Sequence, residues 1–269
     1  MEKTTEKFAL ITGASSGIGL ELAKLFAKDG YNLVIVSRRL EDLMATSQIL
    51  KEINNIQVVP LVKDLFQKNA AFELHGLILA KGIKINVLVN NAGQGQYGEF
   101  VDNDIHRELD IIQLNVNSLV ILTKLFLKEM VARNEGMILN VSSVASKAPG
   151  PLQAVYHATK AFVQSFSEAI RDEVKETEVI ITTLLPGATE TAFFNKAGMQ
   201  NARNVVEGEL ADPADVAADG YKALMKGKDM VVSGFKNKVE VAMAGIIPDT
   251  ALAAKVHKQQ EPVDKAAGK

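Results

Sequence analysis

Short runs of β-branched and other apolar residues recur along this chain, each followed by a longer stretch of helical periodicity, and that alternation most restricts what it can fold into. Phe8–Ile11, Leu33–Val36, Gln57–Leu61, Val87–Val89, Met137–Val141, Val179–Leu184 and Met230–Val232 carry few charges and are bounded by turn residues, as strands buried on both faces are. Between them, Leu20–Lys28 sets Leu22, Leu25 and Phe26 against Glu21, Lys24 and Lys28, and Ile111–Val131 and Ala161–Val174 are patterned alike. Asp212-Pro213 reads as an N-cap followed by proline at the first helical position, with Asp215 adding negative charge to the first turn. Repeated strand–helix–strand units demand parallel strands joined by right-handed crossovers. The expected fold class is α/β, a doubly wound parallel sheet of about seven strands with helices on both faces.

Composition narrows the chemistry. The 269 residues, 47% hydrophobic and 23% charged, suit one large domain, and no linker or repeat divides them. Residues 1–256 are expected to form that domain, with 257–269 a polar, flexible tail. Thirty basic residues against 32 acidic ones leave a net charge of −2, with no basic footprint for nucleic acid and no polybasic membrane face. The absence of cysteine removes disulfides, thiolate zinc sites, iron–sulfur clusters and a thiol nucleophile. The four histidines, His75, His106, His157 and His257, stand too far apart for a local metal-binding pair, so no metal is expected. Residues 1–7 mix charges without the apolar core of a secretory signal, and no unbroken apolar run is long enough to span a bilayer. The expectation is a cytoplasmic protein with neither nucleic-acid nor membrane partner.

Immediately after the first strand stands Thr12-Gly13-Ala14-Ser15-Ser16-Gly17-Ile18-Gly19, leading into the first helix. Gly13 permits the tight turn, Gly17 lets backbone approach a pyrophosphate, and Gly19 lets helix and strand pack closely. The helix N-terminus, with free N–H groups and a positive dipole end, then holds phosphate beside Ser15, Ser16 and Ile18. This points to a Rossmann-like dinucleotide site. The second strand ends Val36-Ser37-Arg38-Arg39, with no carboxylate before Glu41. A carboxylate would bind a ribose 2′-hydroxyl and repel a 2′-phosphate; a serine and guanidinium groups bind the phosphate. NADP(H) is therefore the expected cofactor, with one or both arginines on the 2′-phosphate. Asp64, with Leu65 beside it at the end of the third strand, fits either an acceptor for the adenine amino group or an ordinary turn residue.

Toward the other end of the same pattern, Asn90-Asn91-Ala92-Gly93 follows the fourth strand and Asn115 interrupts an apolar helix, where its amide needs a partner. The fifth strand runs out through Ser142-Ser143. Tyr156 and Lys160 are i and i+4, one above the other on a helix, and of the four tyrosines only Tyr156 has a lysine so placed. A helix opening beyond the carboxyl end of the fifth strand aims that pair at the ligand crevice of an open α/β sheet. A phenol titrates near 10, and an ammonium about 4 Å away supplies on the order of 4 kcal/mol at an effective dielectric of about 20, enough to favour phenolate by two to three units.

From about Phe8 to Phe193 these residues resemble the short-chain dehydrogenase/reductase family in its single-domain form. Thr-Gly-Ala-Ser-Ser-Gly-Ile-Gly, Asn-Asn-Ala-Gly, Asn115, Ser143, Tyr156-x-x-x-Lys160 and Pro186-Gly187-x-x-x-Thr191 occur in that family's order and spacing. The resemblance implies a hydride transfer between NADP(H) and a carbonyl or secondary alcohol. By that resemblance Tyr156 is the general acid/base, Lys160 its activator, Ser143 rather than Ser142 the carbonyl-orienting hydroxyl, and Asn115 the holder of a proton-relay water. It implies cofactor contacts from Asn91, Ala92, Gly93, Pro186, Gly187, Thr189 and Thr191, with Asn90 lining the same site, and a homodimer or homotetramer. Ala192–Met199, with Gly208 beyond, reads as an apolar-edged substrate lid, and Gln94, Gln96, Tyr97 and Gln153 as polar residues facing the pocket. Ala242–Ala254 fits a subunit contact, a second pocket wall or a packed C-terminal helix equally. A non-catalytic NADP(H)-binding regulator on the same fold is the alternative, against which an intact Ser143, Tyr156 and Lys160 weigh.

Overall fold

The computed structural model of the protein describes residues 6–263. Among them seven strands form one parallel sheet in the order β3-β2-β1-β4-β5-β6-β7. These are β1 (Phe8–Thr12), β2 (Asn32–Ser37), β3 (Val58–Val62), β4 (Ile85–Asn90), β5 (Gly136–Val141), β6 (Val179–Leu185) and β7 (Met230–Val232), so each expected run meets a strand, Gln57 alone falling one residue ahead of β3. The helices are α1 (Gly17–Lys28), α2 (Leu40–Ile53), α3 (Ala70–Ala80), α4 (Ile105–Ile112), α5 (Leu119–Ala132), α6 (Ala154–Glu173), α7 (Phe193–Ala197), α8 (Arg203–Val206), α9 (Pro213–Met225), α10 (Phe235–Ala244) and α11 (Asp249–Gln260).

Strand alternation builds two cores. Ala9, Ile11, Leu33, Ile35, Val87 and Val89 point to one face, where Phe26 of α1, Leu50 of α2 and Leu224 of α9 cover them. Leu10, Val34, Val36, Leu88 and Ile138 point to the other, under Leu74 of α3, Phe126 of α5 and Ile170 of α6. Phe26 and Phe126 are buried almost completely, each contributing about 1.5–3 kcal/mol of apolar transfer energy. Asp212 caps α9 as expected, its Oδ1 accepting from the Ala214 N–H at 2.7 Å, with Pro213 at the first helical position.

The chain crosses from β3 at one edge to β4 beside β1, so neighbouring connections diverge between β1 and β4 and leave a crevice beyond their carboxyl ends. A second irregularity serves the same region. The helical run Ile105–Ala132 is long and apolar enough to cross a membrane by length and composition, yet it packs Leu122, Phe126 and Met130 on the sheet like a core helix. It is broken at Gln113–Ser118 by a π-helical turn that contains Asn115. Such turns shift the residues around them and collect at functional sites.

The C-terminus departs from expectation. Helix α11 runs on through His257 to Gln260, and Val263 N–H donates to the Asn201 carbonyl at 2.8 Å, so the tail does not begin at 257. Gln260 is buried, and this anchor holds the last turn. Residues 264–269 of the expected tail lie outside the described residues.

Candidate active site

A cleft of about 1070 Å³ opens over the carboxyl ends of the strands. It is larger than the roughly 300–1,000 Å³ of a usual small-molecule pocket, which leaves room for a dinucleotide and a second ligand together. Of the residues expected at the cofactor and catalytic sites, only Gly19, Asn90 and Asn115 stay off its wall.

The glycine turn is locked from β4. Thr12 Oγ1 accepts from the Asn91 and Ala92 N–H groups, each at 3.1 Å, and Asn91 Nδ2 donates to the carbonyls of Thr12 at 3.0 Å and Gly13 at 3.2 Å. Gly13 has φ +67°, and a Cβ there would lie 2.9 Å from Asn91 Nδ2; Gly17 has φ +55°, and a Cβ would lie 2.8 Å from Thr191 Cγ2. A side chain at either position is both strained and overlapped. Gly19 packs against the Gly13 carbonyl, its expected role. Thr12 carries this lock although sequence reasoning passed over it; its signal is a hydroxyl placed just before the glycines at a strand end.

Ser37, Arg38, Arg39, Asp64 and Leu65 line the far end of the cleft. Arg39 is mostly exposed and paired with Asp42 at 3.0 Å, while the Arg38 guanidinium lies 5.2 Å from the centre of the Phe66 ring. Asp64 does what a turn residue does, accepting the Phe66 N–H at 3.2 Å. The donors present suit a phosphorylated dinucleotide: the N-terminus of α1 with Ser15 and Ser16, then a serine and two guanidinium groups with no carboxylate at the end of β2.

At the other end, α6 carries Tyr156 and Lys160 into the cleft one turn apart, the Lys160 Nζ 5.8 Å from the phenol ring centre. Lys160 Nζ donates to the Val141 carbonyl at 2.9 Å. Ser143 begins a 3-10 turn after β5 and lines the cleft, its Oγ donating to the Pro186 carbonyl at 3.4 Å and accepting from Ala145 N–H at 3.1 Å. Ser142 turns back to donate to the Lys160 carbonyl at 2.7 Å, which leaves Ser143 as the hydroxyl better placed for a ligand. Pro186, Gly187, Thr189 and Thr191 continue the wall, with Thr191 against Gly17 of the glycine turn and its Oγ1 accepting the Phe193 N–H at 3.3 Å.

Burial governs both ionisable groups. It drives the Tyr156 phenol up to about 12, against a smaller downward pull from the Ser143 hydroxyl, and lowers the Lys160 amine to about 8. The acidified phenol expected from sequence is therefore not what the polypeptide by itself provides: desolvation, a tertiary property, outweighs the neighbouring amine.

Three other expectations need correction. Asn90 does not line the cleft; its Nδ2 donates to Thr123 Oγ1 and Asn140 Oδ1, both at 2.9 Å, tying β4 to α5 and β5. Asn115 has its amide engaged within the protein, accepting the Gln94 N–H at 3.0 Å and donating to the Gln94 carbonyl at 2.8 Å and Thr159 Oγ1 at 3.0 Å, so the side chain stands behind the cleft wall and fixes it. Gln94 and Gln153 face the cleft, whereas Gln96 and Tyr97 do not.

The lid expected over Ala192–Met199 forms α7 and a small apolar cluster in which Ala197, Met199 and Ala202 are buried. Phe193 lies against Tyr156 with ring centres 5.0 Å apart. Leu252 and Val256 of α11 also line the cleft, which makes the C-terminal segment a pocket wall. A clasp invisible in the sequence secures it. His157 Nδ1 meets the Ala148 carbonyl at 2.8 Å and must carry the proton, so Nε2 accepts from Gln260 Nε2 at 3.2 Å, while Tyr97 Oη donates to the Gln260 carbonyl at 2.5 Å. Burial holds His157 below its ordinary value, in keeping with a neutral ring. The partners are more than a hundred residues apart in sequence, so no local pattern marks them.

Phosphate-holding backbone at one end of a crevice and a proton-bearing phenol at the other is the division of labour of nicotinamide-dependent oxidoreductases, and fold and cleft together define that class. The model of the short chain dehydrogenase family matches residues 7–202, and the chain belongs to that family. It is 38% identical over 189 residues to human 17-beta-hydroxysteroid dehydrogenase type 3, spanning 70% of this chain and 60% of the relative. It is 36% identical over 199 residues to the rat very-long-chain 3-oxoacyl-CoA reductase, spanning 71% and 62%. The chain thus matches about three fifths of the length of these relatives. Among solved structures, a short-chain dehydrogenase from Sphingobium yanoikuyae in complex with NADPH superposes with a TM-score of 0.79 at 27% identity, covering 96% of this chain and 99% of that one.

Proposed function

We propose that this protein transfers a hydride between NADP(H) and a carbonyl or secondary alcohol borne on a large apolar skeleton. The observation that carries the reading is the presence of Ser143, Tyr156 and Lys160 in the same cleft as the glycine turn. The NADPH complex of the structural neighbour and the absence of a carboxylate at the end of β2 support NADP(H) over NAD(H). The names of the two relatives, one a steroid dehydrogenase and one a long-chain acyl reductase, support an apolar substrate body, as do Phe193, Met199, Leu252 and Val256 on the cleft wall. The proposed cytoplasmic homo-oligomer rests on the sequence reading alone.

The glycine turn and α1 would hold the pyrophosphate, Ser37 with Arg38 or Arg39 the 2′-phosphate, and Lys160 the ribose next to the nicotinamide. When bound, the cofactor supplies the hydride. Ser143 Oγ orients the substrate oxygen, and Tyr156 Oη gives it the proton it needs as negative charge develops there. Lys160, lowered only to about 8, is still mostly cationic at neutral pH. Its charge sits beside the phenol ring and favours the phenolate against the push of burial, so the pair works as one coupled unit.

A panel of ketones and secondary alcohols, run with NADPH or NADP⁺ and with NADH or NAD⁺, tests the proposal. The expected outcome is carbonyl-dependent oxidation of NADPH, at least about tenfold more efficient than with NADH, a difference of about 1.4 kcal/mol. Tight NADPH binding with no turnover on any carbonyl would favour the regulator instead.

A further inference from the structure

Arg38, Arg39 and Lys63 bring three positive charges to the cleft wall beside the ends of β2 and β3. Arg39 Nη2 is paired with Asp42 at 3.0 Å, and Lys63 Nζ with Glu73 at 2.7 Å. Of the three, Arg38 alone has no carboxylate partner among the described residues. A cation already paired with a carboxylate has less to gain from a phosphate, because that carboxylate repels the incoming anion.

Arg38 rests instead on an aromatic ring. Its guanidinium carbon lies over Phe66, 5.2 Å from the ring centre. Phe66 also lines the cleft, and the fold fixes it from behind. Its N–H donates to Asp64 Oδ1 at 3.2 Å, and its ring packs against the core cluster that contains Leu65 and Leu114. Arg107 of α4 lies over the same ring at 5.3 Å, and its Nη2 donates to Gln94 Oε1 at 2.5 Å. Two guanidinium groups thus share one ring, whose negative face attracts both. Of the two, only Arg38 lines the cleft.

We propose that Phe66 is a positioning residue for cofactor choice. Its aromatic face holds the Arg38 guanidinium ready for the ribose 2′-phosphate, which makes Arg38, rather than Arg39, the group that separates NADP(H) from NAD(H). This rests on the proposed NADP(H) reading and adds which charge reads the phosphate and what presents it. A planar guanidinium can lie on a ring by its face while its N–H edge stays free for two phosphate oxygens. An exposed arginine that swings freely must surrender its rotamer freedom when the phosphate arrives, and one already resting on a fixed ring surrenders less.

Calorimetric binding of adenosine 2′,5′-bisphosphate and of adenosine 5′-monophosphate tests this without any hydride transfer. The parent protein is expected to prefer the bisphosphate by about thirtyfold or more. Phe66→Leu removes the aromatic face, and Phe66→Met is a second variant that fills the same space without one. Each should lower the preference about three- to tenfold, with the monophosphate changed by no more than about twofold. Phe66→Tyr keeps the face and should hold the preference within about twofold of the parent. In an Arg38→Gln background, Phe66→Leu should change the preference by less than about 1.5-fold, because its effect runs through Arg38. Arg38→Gln should cost more of the preference than Arg39→Gln, and the reverse order overturns the assignment of Arg38. A preference that survives both Phe66→Leu and Phe66→Met, an equal loss on both nucleotides, or a loss that persists without Arg38 overturns the role of Phe66 and leaves the NADP(H) reading intact. A parent protein with no preference for the bisphosphate overturns both.

Discussion

At the scale of the residue, the pairing of Tyr156 with Lys160 was legible because it depends only on helical spacing, whereas their ionisation was not, because it depends on how deeply the fold buries them. The same limit explains Asn90 and Asn115. Asn115 stands out as a polar residue in an apolar helix and Asn90 only through the family resemblance, but which polar group answers each is decided by elements far away in sequence, such as Gln94 and Thr123. Lys160 yields a prediction with a definite sign. Its amine is lowered to about 8 from an ordinary 10.5, so the folded state holds the proton less readily than the unfolded chain. The cost is fully present below about pH 8 and shrinks as pH rises toward the unfolded value, because in that window the unfolded chain binds more protons. Lys160→Met should therefore be more stable than the parent at pH 7. Roughly 3 kcal/mol of relieved desolvation is offset by the lost bond to the Val141 carbonyl, leaving about 2 kcal/mol. Thermal melts from pH 7 to 10 should show that margin closing; a variant less stable at pH 7, or a margin independent of pH, would contradict the assignment.

Among the elements, all seven strands and the capped start of α9 were readable from period, turn residues and N-cap chemistry. The π-helical turn was not, since nothing in Gln113–Ser118 announces a change of helical pitch; the turn is stabilised by contacts across the molecule, including Ser118 Oγ donating to the Leu65 carbonyl at 2.7 Å. The last turn of α11 was misjudged for the same reason, a polar composition that looks solvated until His157 and Tyr97 are seen to grip it. The turn at residue 115 is open to test. Asn115→Ala removes three hydrogen bonds and strands the Gln94 backbone groups in the interior, so it should cost about 2–4 kcal/mol of stability. Denaturant unfolding measures the loss, and amide exchange should quicken at Gln94 and along the π-helical turn. A loss below about 0.5 kcal/mol would show that the network around residue 115 is incidental.

For the molecule as a whole, the parallel sheet places the glycine turn and the residues proposed for cofactor binding and proton transfer at its carboxyl edge, where the crossovers part between β1 and β4. This arrangement, and most of the cleft wall, could be inferred from sequence because it follows from strand order and the ends of strands. Of the pocket's far wall, the α7 segment reads as a lid, but α10 and α11 stay open between three readings, because short helices packed on a cleft follow no repeating pattern. The central claim is that the whole assembly serves one proton at one atom, Tyr156 Oη. Tyr156→Phe removes that atom alone and leaves the ring against Phe193. The most direct measurement is therefore the rate of carbonyl-dependent NADPH oxidation by Tyr156→Phe, beside its NADPH affinity: turnover should fall by about a thousandfold or more with affinity within about threefold of the parent. Turnover at the parental rate, with the cofactor bound as before, would contradict the account.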